Sequence, residues 1–403
     1  MANFELMRML TKPGGGKIVL LVLDGLGGLP DKGPESALEM ARTPVMDELA
    51  AEGCLGLSHP IGRGITPGSG PAHLALFGYD PIGNPVGRGV LSALGVGYDL
   101  QPADVAARGN FCSVDEKGDI VDRRAGRISS DLAMPLVRKL DGISISGVES
   151  SVRQVKEYRF MLTLRGEGLS GDIADTDPQK TGVPPLPARA LSPGADKTVA
   201  LVNRWLEAAR EVLRDDLPAN MVTLRGFGQD PNLPKFNDVY KLKAACVAVY
   251  PMYRGVSRLV GMDVIETGEH ASPRDEFQIV SSNWGDFDFF FVHIKPTDSR
   301  GEDGDIEAKA AVIEQVDQAL VVLLDLRPDV LIITGDHSTP ARLRSHSWHP
   351  VPTLLWAPAS HLRDNAVSFG EREAQKGGLG HFSATDLMPM ALAHALRLKK
   401  YGA

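Results

Sequence analysis

The chain has 403 residues, more than one ordinary hydrophobic core accommodates, and length alone points to about two domains. With 43% hydrophobic and 23% charged residues, it has the composition of a globular protein and not of a disordered one. A net charge of -8 argues against nucleic acid or an anionic membrane as partner, since both need clustered positive charge; an anionic small molecule would need a local basic pocket.

The opening MANFELMRMLTKPGGG has no unbroken apolar segment of the kind that marks a secretory signal. No run of about eighteen apolar residues suggests a membrane span. Cys54, Cys112 and Cys246 are far apart and make no CxxC pair, so neither a disulfide framework nor a cysteine zinc site is expected. The expected compartment is the cytoplasm. The first clear element is the run Ile18–Leu23, short and wholly apolar, which predicts a strand buried on both faces. Asp24 follows it, at the end of a strand where ligands of open α/β sheets gather, although a lone Asp-Gly is by itself a turn. Thr43 at an N-cap, Pro44 in the first turn and Gly53 as the stop predict a helix. In TPGSGPAHLALFGYDP, Ser69 lies in a glycine-rich turn before a helix expected to begin near Pro71. Backbone N–H groups there suit a phosphate, and a plain helix cap is the alternative.

From 95 to 237 the texture changes: arginines become frequent, apolar runs shorten, and proline-rich connections such as GVPPLPARALSPG appear. This predicts an inserted, smaller α+β domain at 95–237 within a discontinuous core domain of 1–94 and 238–403. The core resumes with apolar runs at 243–250 and 287–294. The second runs into HIKPTDSRGEDGD, where Asp298, Glu302, Asp303 and Asp305 crowd together; so many acids in a small volume need cations, unless the segment is simply a solvated loop. Residues 306–326 have helical apolar spacing. The run Val330–Thr334 leads to Asp336-His337, a hard oxygen beside an imidazole. After the run Val351–Trp356 comes GGLGHF, whose glycines would let His381 approach a metal. Strands alternating with helices predict an α/β fold with a mostly parallel sheet. Asp24, Ser69, Asp298, Asp336, His337 and His381 together are the donor set of a two-metal phosphoryl-transfer site.

The ordered set VLDG, TPGS…AHLALFGYDP, HIKPTD…DGD, TGDHSTP, HSWHPVP and GGLGHF resembles the archaeal-type cofactor-independent phosphoglycerate mutases of the alkaline phosphatase superfamily. The likeness continues through RGNFCSVDEKGDIVDRRAGRI, YRFMLTLRGEGLSGDIADTDP and TLRGFG, and so spans most of the chain. It implies an alkaline-phosphatase-like, mostly parallel sheet flanked by helices and capped by the insert. It also implies interconversion of 3-phosphoglycerate and 2-phosphoglycerate through a phosphoserine on Ser69. The cofactors implied are two divalent ions, manganese foremost, with magnesium, cobalt or zinc as alternatives, and no bisphosphoglycerate.

By the same resemblance, one ion would be held by Asp24, Ser69, Asp336 and His337, and the other by Asp298, His381 and the residue four after Asp298. That residue is Glu302 where the family carries histidine; a carboxylate still binds a hard divalent ion and favours manganese or magnesium over zinc. Gly70-Pro71 stand where the family commonly has Asp-Thr. Arg124, Arg127 and Arg165 are expected on the substrate's phosphate and carboxylate, with Arg159 and Arg225 in the same set. Asp175 and Asp177 would orient those arginines or bind glycerate hydroxyls, and Arg254 would lie near the transferred phosphate. His346 and His349 of HSWHP fall near a metal loop, as supports or as direct ligands. The alternatives are a phosphohydrolase or other phosphotransferase of the superfamily, homoserine kinase-like for example, or a degenerate non-catalytic homologue. The oligomeric state stays open.

Overall fold

The computed structural model describes residues 4–31 and 33–402. It forms two compact units, Met1–Pro85 with Pro234–Ala403, and Val86–Leu233. In chain order the strands are β1 Ile18–Leu23, β2 Cys54–His59, β3 Val105–Val114, β4 Ile120–Asp122, β5 Glu149–Lys156, β6 Arg159–Arg165 and β7 Met221–Gly228. They continue with β8 Ala244–Ala248, β9 Asp263–Ile265, β10 Phe289–Ile294, β11 Val330–Thr334, β12 Val351–Trp356 and β13 Gly380–Ser383.

The first unit holds an eight-stranded sheet in the order β13-β2-β12-β11-β1-β10-β8-β9. β1 runs parallel to β10 and β11, β8 parallel to β10 and β9, and β13 parallel to β2; only β12 is antiparallel to its neighbours. Every residue of β1, β10 and β11 is buried, because helices cover both faces and leave no polar side to alternate. On one face Val19, Leu21, Phe290, Val292 and Ile333 pack with Leu49, Phe277 and Ile313 from three helices. On the other, Phe77 meets Phe291 and Phe236 meets Phe289, with ring centroids 4.9 Å apart in both pairs. Each such side chain contributes roughly 1.5–3 kcal/mol of burial. Register matters more for function: Leu23 pairs with Ile294 and Val22 with Thr334, so β1, β10 and β11 end together and deliver Asp24, Asp298 and Asp336-His337 to one edge.

Local departures from the sequence expectation have simple causes. The strand expected at 243–250 stops at Ala248, because Pro251 starts the helix Pro251–Leu259. The helix opening near Pro71 begins at Ser69 itself, with Gly68 as N-cap. Thr43 makes no side-chain cap; Asp317 instead accepts the N–H groups of Val45 and Met46, at 3.3 and 2.7 Å. Asp305, one of the crowded acids, caps the helix Ile306–Ala319 by accepting the Ala308 N–H at 2.9 Å.

The second unit is an antiparallel five-stranded sheet in the order β4-β3-β6-β5, with β7 on the other side of β3. The helices Ser130–Asp141 and Asp196–Leu213 supply the rest of its core, centred on Phe111, Phe160, Leu162, Trp205 and Val222.

Candidate metal centre and nucleophile

Ser69 opens its helix from the first turn, and its Oγ lies 3.2 Å from Nε2 of His337. The same nitrogen is 3.3 Å from Asp24 Oδ1 and 3.2 Å from Asp336 Oδ2. Both of those carboxylate oxygens are buried, and no donor among the described residues satisfies them. Burying acceptors in this way costs several kcal/mol unless a positive group compensates. Asp24, Asp336 and His337 form one cluster of metal-ligand type, and Asp298, His337 and His346 form a second.

The imidazoles are held in the tautomers that a metal needs. The Thr339 hydroxyl donates to Asp298 Oδ1 at 2.7 Å and has no second proton to give. It therefore accepts from Nδ1 of His337 at 3.0 Å, which leaves the Nε2 lone pair facing Asp24, Asp336 and Ser69. His346 donates from Nδ1 to the Pro67 carbonyl at 3.0 Å. Its Nε2 lies 3.7 Å from Asp298 Oδ1, and its ring stacks on His337 at 3.6 Å between centroids. His73 donates from Nδ1 to the Ser69 carbonyl at 2.8 Å, which fixes the nucleophile's own turn. Gly25, at φ +62°, is required after Asp24: a Cβ there would sit 2.5 Å from Thr339 Oγ1.

Charge is arranged around this geometry. Lys295 Nζ bridges Asp24 Oδ2 at 3.0 Å and Asp298 Oδ2 at 2.5 Å, and the Tyr253 hydroxyl donates to Asp24 Oδ2. Burial opposes ionisation of Asp24, yet the Lys295 ammonium foremost overrides it and holds the carboxylate well below its usual range. For Asp336 burial, followed by the Asp24 charge, outweighs the Gly25 N–H and Lys295 and pushes it well above. Burial drives His337 well below the ordinary imidazole value and His73 down to about 3, so both are neutral ligands or donors. Two neighbouring buried carboxylates pushed in opposite directions, together with orphaned oxygens and an aimed lone pair, fit a divalent cation of the oxygen-and-imidazole class.

Asp24, Ser69, Asp298, Asp336 and His337 thus come together. His381 does not: its exposed ring, on edge strand β13, bonds to His59 at 3.0 Å and belongs to neither cluster, while His346 stands in the second cluster beside Asp298. Glu302 lies one helical turn beyond Asp298; the residue is exposed, but partial desolvation of its carboxyl, followed by the Asp298 charge, raises the carboxyl. Arg254 is committed within the fold, donating to the Ala248 carbonyl and Thr267 Oγ1, each at 2.7 Å. Arg165 is likewise tied, by a two-pronged contact with buried Asp104 at 2.9 and 2.7 Å. Arg159 pairs with Glu157 at 2.7 Å. Asp177 is clasped by Arg123 at 3.2 and 2.8 Å and reached by Arg225 at 3.5 Å, and Arg225 also meets Asp175 at 3.4 Å. Arg124 and Arg127 are exposed, on a turn where Ala125, Gly126 and Arg127 all have positive φ. Lys295, Tyr253 and Thr339 were not singled out from sequence. The one available signal was Lys295, a cation placed directly after a buried strand and three residues before Asp298.

The matches to known proteins agree with one another. The family model for 2,3-bisphosphoglycerate-independent phosphoglycerate mutase matches residues 50–220. A Thermus thermophilus protein named as a probable 2,3-bisphosphoglycerate-independent phosphoglycerate mutase is 50% identical over 99% of each chain. One of the same name from Thermotoga maritima is 47% identical over 99% of each. Among solved structures, a protein from Pyrococcus horikoshii superposes with a TM-score of 0.84 at 32% identity, covering 96% of this chain and 100% of its own. The cofactor-independent phosphoglycerate mutase from Thermoplasma acidophilum gives 0.71 at 31% identity, covering 94% and 100%. The chain belongs to the 2,3-bisphosphoglycerate-independent phosphoglycerate mutases.

Proposed function

We propose that the protein interconverts 3-phosphoglycerate and 2-phosphoglycerate, with Ser69 as the nucleophile and two divalent ions, manganese foremost, at the strand ends. The observation that carries this reading is the convergence of Ser69 Oγ, Asp24 Oδ1 and Asp336 Oδ2 on His337 Nε2, all within 3.3 Å. Asp24, Ser69, Asp336 and His337 would hold one ion; Asp298 and His346, with Glu302 one turn along, would hold the other. When bound, the ions supply Lewis acidity that lowers the serine hydroxyl's pKa and offsets phosphoryl charge.

The chain's own groups do the rest. The helix start at Ser69, pinned by His73, sets Oγ beside His337 Nε2, and the first-turn backbone N–H groups of that helix suit an incoming phosphate. Ser69 Oγ bonds to phosphorus as the bond from phosphorus to the glycerate oxygen breaks, and the proton lost from Oγ ends on that departing oxygen. The reverse transfer to the other hydroxyl regenerates Ser69. Lys295, between Asp24 and Asp298, adds a fixed positive charge to the same edge. Holding the glycerate between the two half-reactions falls to Arg124 and Arg127 and to the Arg123, Asp177, Arg225 and Asp175 network, where planar guanidinium groups suit carboxylate and phosphate. The test is incubation of manganese-loaded protein with 3-phosphoglycerate. Appearance of 2-phosphoglycerate supports the mutase, and free phosphate without 2-phosphoglycerate would make the protein a hydrolase of the same superfamily.

A further inference from the structure

His59 and His381 stand apart from the centre just described. His59 ends β2 and His381 lies in the edge strand β13, whose parallel register sets Ser383 opposite His59. The two rings stack with centroids 5.3 Å apart and planes 25° from parallel, and His59 Nε2 is 3.0 Å from His381 Nδ1. Both line a cavity of about 260 Å³ together with Arg63, Trp348 and His349. His349 donates from Nδ1 to Ser347 Oγ at 3.0 Å, and that hydroxyl's own proton goes to the Ser338 carbonyl at 3.4 Å. The Nε2 lone pair of His349 is therefore left without a proton.

A shared proton accounts for two facing nitrogens but not for three imidazoles around one cavity. Two nitrogens on one ion, each about 2.0–2.1 Å from it at a right or tetrahedral angle, are separated by about 2.9–3.4 Å. The observed 3.0 Å falls in that range. Burial above all, with smaller contributions from His381 and Arg63, lowers the proton affinity of His59 and so favours the neutral form a ligand requires. Arg63 itself is exposed, where water screens its charge.

We propose that His59 Nε2 and His381 Nδ1 are the two fixed ligands of an accessory site for a transition-metal ion of the zinc, nickel or copper class, with His349 joining as third ligand once its Nδ1 releases Ser347 and the side chain rotates. An all-imidazole set selects against magnesium and manganese, which prefer oxygen, so its chemistry is separate from that of the carboxylate-rich centre. An ion here ties β13 to β2 and engages the segment His346–His349, which also carries a residue of that centre.

Zinc binding is measured by calorimetry and by metal analysis on the full chain, for wild type, His59→Ala, His381→Ala and the milder His381→Gln. Each variant is expected to bind one zinc fewer per chain, or to bind it at least tenfold more weakly, with manganese stoichiometry and melting in chelator unchanged. Identical zinc isotherms in wild type and variants overturn the proposal. So does loss of a manganese ion in the His381 variants, which would return His381 to the main centre. Loss of inorganic phosphate binding with zinc binding intact also overturns it and makes the cavity an anion site.

Discussion

Lys309 holds two of the strand-end loops together, and Lys309→Met is the perturbation that exposes this. Its ammonium is fully buried and donates to the carbonyls of Gly25 at 2.6 Å, Gly27 at 3.2 Å and Thr339 at 2.9 Å. It thereby fastens the loop after β1 to the loop after β11. Hydrogen bonds to a charged group are worth roughly 1.5–3 kcal/mol each, so three of them gain about 5–9 kcal/mol against a burial cost of several. Methionine keeps the shape and strands three acceptors; the expected loss is about 3 kcal/mol, or roughly 6–12 °C of melting midpoint for a unit of this size.

The pH dependence carries a second signature of the same residue. Burial, only partly opposed by Glu371 and the other nearby carboxylates, pushes Lys309 down to about 8, below the 10.5 of a free lysine. Between those values the unfolded chain binds more protons than the folded one, so wild-type stability rises with pH across that window, by at most about 1.4 kcal/mol per unit. The methionine variant lacks this term, and the stability gap between the two must widen from pH 8 to 10.5. Parallel denaturant melts of both proteins in chelator measure it directly. A variant as stable as wild type, or a gap that does not change with pH, refutes the reasoning.

Three further outcomes are expected. Thr339→Val removes the acceptor that sets the His337 tautomer and should weaken manganese binding roughly 10–100-fold in a titration, with little change in secondary structure. Glu302→His should leave the fold intact, because the position is exposed, and should hold the second ion at least as tightly; a fall in affinity would remove Glu302 from the proposed ligands. Arg127→Ala should raise KM for phosphoglycerate at least tenfold without lowering the melting point, whereas Arg165→Ala, by stranding buried Asp104, should lower the melting point.

The parts of the fold that could be read from sequence are those where burial on both sides forces an unbroken apolar run. Ile18–Leu23, Val330–Thr334 and Val351–Trp356 are strands with the bounds expected from their apolar runs. Residues placed directly by those strands, Asp24, Asp336 and His337, were legible for the same reason, as was Ser69 through its glycine turn. Loop histidines carry no period. Only the path of the chain separates His346, stacked on His337, from His381, on an edge strand beside His59. Arginine pairing is equally hidden, since Arg165 and Arg254 find Asp104 and the Ala248 carbonyl through tertiary contacts that no local spacing encodes.

The central claim is that Ser69 itself carries the phosphoryl group. Manganese-loaded protein mixed with 3-phosphoglycerate, quenched in acid and digested, should yield by mass spectrometry a peptide phosphorylated at Ser69, absent from Ser69→Ala. Turnover to 2-phosphoglycerate with no phosphate on Ser69, or with undiminished activity in Ser69→Ala, would contradict the account.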